Sequence, residues 1–113
     1  MRLRPGQIRL KIMPKLYEYF GLVVLFYSNE HEPIHVHGLY QGKESRADFV
    51  IIDGKVVEIK FQPVKGRRPL EGTQLSDFKL VVNEYADDIV KKWVDYFVMH
   101  KAIKAERIDR RIK

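Results

Sequence analysis

A chain of 113 residues with 45% hydrophobic and 12% aromatic side chains is sized for one domain with a modest core and is too apolar for a disordered segment. It has no cysteine, which excludes disulfides, thiolate nucleophiles and Cys-based zinc sites. The net charge of +6 sits at the two ends. Residues 1–15 carry five basic side chains (Arg2, Arg4, Arg9, Lys11, Lys15) and no acid, residues 100–113 carry six basic and two acidic, and the middle is net acidic. Basic arms suit phosphate contacts, although charged ends also serve simply as solvated surface.

In chain order, residues 1–12 read as a basic N-terminal extension, and 13–113 as a single α+β domain. The charged N-terminus is followed by no apolar signal-peptide core, and no apolar run approaches the ~20 residues of a membrane helix, so a cytoplasmic location and no membrane contact are expected. Leu22 to Tyr27 is a β-branched and aromatic run bounded by Gly21 and Ser28-Asn29, the pattern of a buried strand. A polar turn containing Pro33 leads to a second strand, His35 to Tyr40. Gly42-Lys43 is read as a turn, Arg46 to Ile52 as a third strand, and Asp53-Gly54 as a hairpin signal. In the returning strand, Val56 to Phe61, alternation puts Val57, Ile59 and Phe61 on one face and Val56, Glu58 and Lys60 on the other. Connections this short require antiparallel pairing.

After the irregular segment 62–72 the period changes. Leu75, Phe78, Val82, Tyr85, Ile89, Trp93 and Phe97 form an apolar helical stripe, with Thr73 as candidate N-cap. Ala86-Asp87-Asp88 divides it, with Asp87 as the cap of a second helix if the helix breaks. One or two helices thus cover one face of a sheet of about four antiparallel strands. Beyond His100, Ile103, Ala105 and Arg107 alternate as an extra terminal edge strand.

The chemistry concentrates at residues 30–37, Glu-His-Glu-Pro-Ile-His-Val-His, where three of the four histidines fall within seven positions. On a strand, His35 and His37 share a face roughly 6.6–7 Å apart. His31, in the preceding turn, can fold back toward them. Three neutral imidazoles can bind a divalent metal such as zinc, with Glu30 and Glu32 as orienting groups or oxygen ligands. Two can also share acid and base roles, as in a phosphodiester-cleaving RNase, with Arg46 or Arg67 stabilising phosphate charge. The alternative is that the imidazoles only hydrogen-bond across the sheet. Arg67-Arg68 beside Lys65 form a candidate anion clamp or a solvated loop. Trp93, Tyr96 and Phe97 have the spacing of core residues.

These segments resemble a small bacterial family, domain of unknown function 4160. The likeness rests on Met13-Pro14, Phe20-Gly21-Leu22, the strand ending at Tyr27, the turn Glu30 to His37, Pro69-Leu70, and the helix through Trp93, Asp95, Tyr96 and Phe97. It spans Met13 to Ile108. Ile34 stands where the family usually has a second proline, and Glu30 where it usually has aspartate. The resemblance implies a partner protein encoded alongside, in a toxin–antitoxin-like pairing, and contact with nucleic acid. Two functions stay open: a protein- or nucleic-acid-binding component of such a two-gene module, with a small protein partner or a homo-oligomer, and a histidine-dependent phosphodiesterase that uses a metal or none.

Overall fold

The computed structural model describes residues 14–27 and 33–113. The basic extension with Arg2, Arg4, Arg9 and Lys11, and the turn residues Glu30, His31 and Glu32, therefore lie outside the described residues. Six strands form one sheet: β1 (Lys15–Tyr19), β2 (Leu22–Leu25), β3 (His35–Tyr40), β4 (Lys43–Ile52), β5 (Lys55–Pro63) and β6 (Glu106–Ile108). Their spatial order is β5-β4-β3-β2-β1-β6. Every neighbour pair is antiparallel except β1–β6, which is parallel. Helices α1 (Gly72–Glu84) and α2 (Ala86–Trp93) follow β5, and a π-helical turn spans Val94–Val98.

The α+β class is as the alternation and periodicity predict, but the sheet has six strands rather than about four and is mixed. The added strand at the start is β1, and the extra terminal strand expected over Ile103, Ala105 and Arg107 is β6, displaced to Glu106–Ile108. Three hairpins are closed by the same device. Phe20-Gly21, Gln41-Gly42 and Asp53-Gly54 all have positive φ at both residues. That backbone matches the right-handed twist of the flanking strands and favours glycine at the second position. The second turn is thus Gln41-Gly42, and Lys43 already belongs to β4.

The returning strand also differs from simple alternation. Val50 pairs with Glu58, but Ile51 pairs with Val56, so Val57 is an extra residue in a bulge. Val56, Ile59 and Phe61 consequently pack against the core, while Val57 is 56% exposed.

The core lies between one sheet face and the helices. Tyr17, Tyr19, Leu22, Val24, Phe26, Val36, Ala47 and Phe49 meet Phe78, Val81, Val82, Ile89 and Trp93. The predicted stripe is therefore the packing face of the helices. Gly38 lets α1 come close, since a Cβ there would lie 2.7 Å from the Phe78 ring. Thr73 is inside α1 rather than capping it, and the N-cap position belongs to Glu71. The helices break at Tyr85, whose φ and ψ of −109° and 21° are non-helical, so Asp87 is in the first turn of α2 instead of being its cap. There Asp87 and Asp88 complement the helix dipole, as Lys91 and Lys92 do in the last turn.

Candidate functional site

His35 and His37 do share a face of β3. Register sets that face opposite the helices, because the intervening Val36 and the following Gly38 turn toward the core and Phe78. The two rings meet edge to face with centroids 5.2 Å apart. Both are buried. His35 Nδ1–H donates to the Pro33 carbonyl at 2.6 Å. A carbonyl can only accept, so this bond sets the tautomer at Nδ1 and holds the turn proline against the strand.

His37 belongs to a network centred on Glu44. The hairpin register places Leu39 opposite Glu44 and His37 opposite Arg46, so the glutamate and His37 are diagonal neighbours on one face. His37 Nδ1 lies 2.8 Å from Glu44 Oε2. Tyr27 donates its hydroxyl to the same oxygen and stacks on the His37 ring at 4.0 Å. Arg67 Nε reaches Oε1 at 3.1 Å. Glu44 is only 3% exposed. A carboxylate this deep needs charge-assisted hydrogen bonds to offset its lost hydration, and three donors supply them. The arrangement fixes one histidine by a carboxylate and an aromatic ring, which sets its orientation.

The loop after β5 is tied down around this network. Glu44 N–H donates to the Arg68 carbonyl at 2.8 Å, Leu70 N–H to Ser45 Oγ at 3.0 Å, and Arg67 N–H to the Val64 carbonyl at 3.0 Å. Leu70 is buried in the core, whereas Lys65, Arg67 and Arg68 are exposed. Arg46 is engaged elsewhere. Its guanidinium binds Asp48 through Nε at 2.8 Å and Nη2 at 3.1 Å, and Gln62 donates to the same carboxylate.

The structure thus brings His35, His37 and Arg67 into one neighbourhood, with Arg46 in register beside His37. Among the described residues, no group of three or more His, Asp or Glu side chains is arranged to hold a metal ion. His31, the third proposed ligand, lies outside them. Sequence reading missed Glu44, and treated Tyr27 only as the end of a strand. The signal was present in the alternation Glu44, Arg46, Asp48, but reading it needed the hairpin register.

A second polar cluster ties β1, α2 and β6 together. The buried Tyr17 donates to Asp88, and Lys92 Nζ binds Asp88 at 2.8 Å and Glu106 at 2.7 Å. Burial opposes ionisation of Asp88, but the hydrogen bonds from Lys92 and Tyr17 hold its carboxyl below the usual range. Burial foremost, then the bond to Asp88, pushes the Tyr17 hydroxyl well above its ordinary value.

Fold and site together define a small mixed α+β domain with a His–Glu–Tyr network, its histidine and glutamate buried, beneath a basic loop. The chain belongs to the family described as Domain of unknown function (DUF4160), which it matches over residues 21–94. No curated protein and no solved structure matches it. No helix of the described residues is long and apolar enough to cross a membrane.

Proposed function

We propose that this protein is a binding component of a two-gene, toxin–antitoxin-like regulatory module, and that it engages an anionic partner through the loop 64–71. The observation that carries this reading is the combination of exposed Lys65, Arg67 and Arg68 with a backbone fixed on β4 and in the core. Cations on a loop that is already ordered bind an anion with little further loss of conformational freedom. Arg67 serves the partner and the buried network at once, since it is 46% exposed while its Nε is held by Glu44. Arg2, Arg4, Arg9 and Lys11 supply further positive charge elsewhere in the sequence.

The test is titration of the full chain with a labelled single-stranded RNA over a range of salt. Affinity is expected to fall steeply with salt, and R67A/R68A to weaken binding at least tenfold and reduce the salt slope by about 1.4. Absence of RNA binding by the intact chain at low salt, with an acidic protein captured instead, moves the assignment to a protein partner. Absence of both removes it.

A second reading, a phosphodiesterase using His35 and His37, is supported by one observation: the paired imidazoles, one of them oriented by Glu44. It expects RNA cleavage by the purified protein that H35A/H37A abolishes while the fold persists. Cleavage that survives the double substitution refutes it.

A further inference from the structure

We infer that the β5 edge is a self-pairing surface, through which two copies of this chain join their sheets about a two-fold axis centred on Ile59. Three independent features of β5 converge on this arrangement.

The first is the direction of the backbone groups. Phe49 N–H donates to the Ile34 carbonyl, on the β3 side of β4. Phe49 therefore turns its bonding groups away from β5, and its register partner Ile59 turns its own N–H and C=O away from β4, off the edge of the sheet. Among the described residues β5 is the terminal strand, paired with β4 alone. Phe61 and Pro63 have the same outward parity as Ile59, and a proline is tolerated there because no bond to β4 is lost.

The second is charge. Glu58 and Lys60 flank Ile59, are exposed, and take part in no ion pair among the described residues. In an antiparallel pair centred on Ile59, Glu58 stands directly opposite Lys60 of the partner subunit, and the symmetry repeats the contact. Moving the centre by one residue puts Glu58 against its own copy, or Lys60 against its own copy. Centring on Val57 or Phe61 leaves both charges without an opposite number. One register alone matches both the outward backbone and the charges.

The third is the apolar residue that the monomer leaves uncovered. Val57, 56% exposed at the bulge, falls opposite the partner's Phe61 in this register. The bulge, Lys60 and Pro63 are also features that discourage indiscriminate strand addition. They are compatible with a partner that brings a glutamate to Lys60, which a second copy does.

The experiment measures self-association of the full chain by sedimentation velocity and amide hydrogen exchange. The wild type is expected to form a concentration-dependent dimer in which the Ile59 amide becomes protected. E58K and K60E, each turning two opposite-charge contacts into like-charge ones, are expected to weaken the dimer about tenfold while keeping the monomer's circular dichroism. An equimolar mixture of E58K and K60E is expected to recover dimers, because both cross-strand contacts are again attractive. The proposal is overturned by a wild type that stays monomeric up to its solubility limit, by a dimer indifferent to both reversals, or by a dimer whose Ile59 amide exchanges as in the monomer.

Discussion

Removing the Glu44 carboxylate tests the proposed network most directly, because the cost can be worked from its three donors. In E44A the Nδ1–H of His37, a residue 2% exposed, is left without its carboxylate, which costs about 1–3 kcal/mol. Tyr27 is half-buried, so water can reach its hydroxyl and its loss falls at about 1 kcal/mol. Arg67 is close to half exposed, and its ion pair is worth no more than about 1 kcal/mol after solvent screening. The sum is about 2–5 kcal/mol, a large share of the ~5–15 kcal/mol that stabilises a domain. E44Q retains one acceptor, which can face Arg67 or the Tyr27–His37 pair but not both, so it should cost about 1–2 kcal/mol. R67A should cost at most about 1 kcal/mol. Urea unfolding with unchanged m-values measures all three. An E44A penalty below about 1 kcal/mol, or an R67A penalty equal to it, would refute the view that the buried donors dominate.

Two further perturbations address the core and the second cluster. G38A forces a Cβ to 2.7 Å from the Phe78 ring, which is itself held edge to face by Phe61, and should cost about 1–3 kcal/mol. Adding F78L should relieve part of that, so the double variant is less destabilised in urea than the sum of the singles. The Tyr17–Asp88 pair predicts both flanks of the pH–stability curve. Asp88 is held below its ordinary range, so its contribution is present above about pH 4 and lost as pH falls through its folded value. Tyr17 is raised, so its contribution is full below about pH 10 and declines as pH climbs beyond that. Thermal melts across pH should show D88N flattening the acid flank and Y17F the alkaline one. Unchanged slopes in either variant contradict the corresponding assignment.

The histidine pair was legible because strand geometry alone puts residues two apart on one face, and the run from His35 to Tyr40 is strand-like in composition. Its surroundings were not. Glu44 is seven residues from His37 in sequence, and Arg67 is thirty. Their meeting depends on the Gln41-Gly42 turn, which sets one register out of several, and on the loop returning across β4. The bulge at Val57 was hidden for a similar reason. Alternation assumes no inserted residue, and only packing against the core shows that Val56, rather than Val57, is needed inside.

Local chemistry in the sequence was enough to determine the α+β class, the strands now numbered β2 to β5, the apolar stripe of the helices and the shared face of His35 and His37. Each depends on periodicity or on a residue's own backbone preferences, which act over a few positions. Tertiary structure decided the placement of β1, its parallel pairing with β6 almost ninety residues later, and which side chains neutralise one another around Glu44 and Asp88. Those outcomes follow from closing the chain around one core, which buries Glu44 so that its charge must be met by whichever partners the fold brings within reach, and carries Lys92 to Asp88 and Glu106.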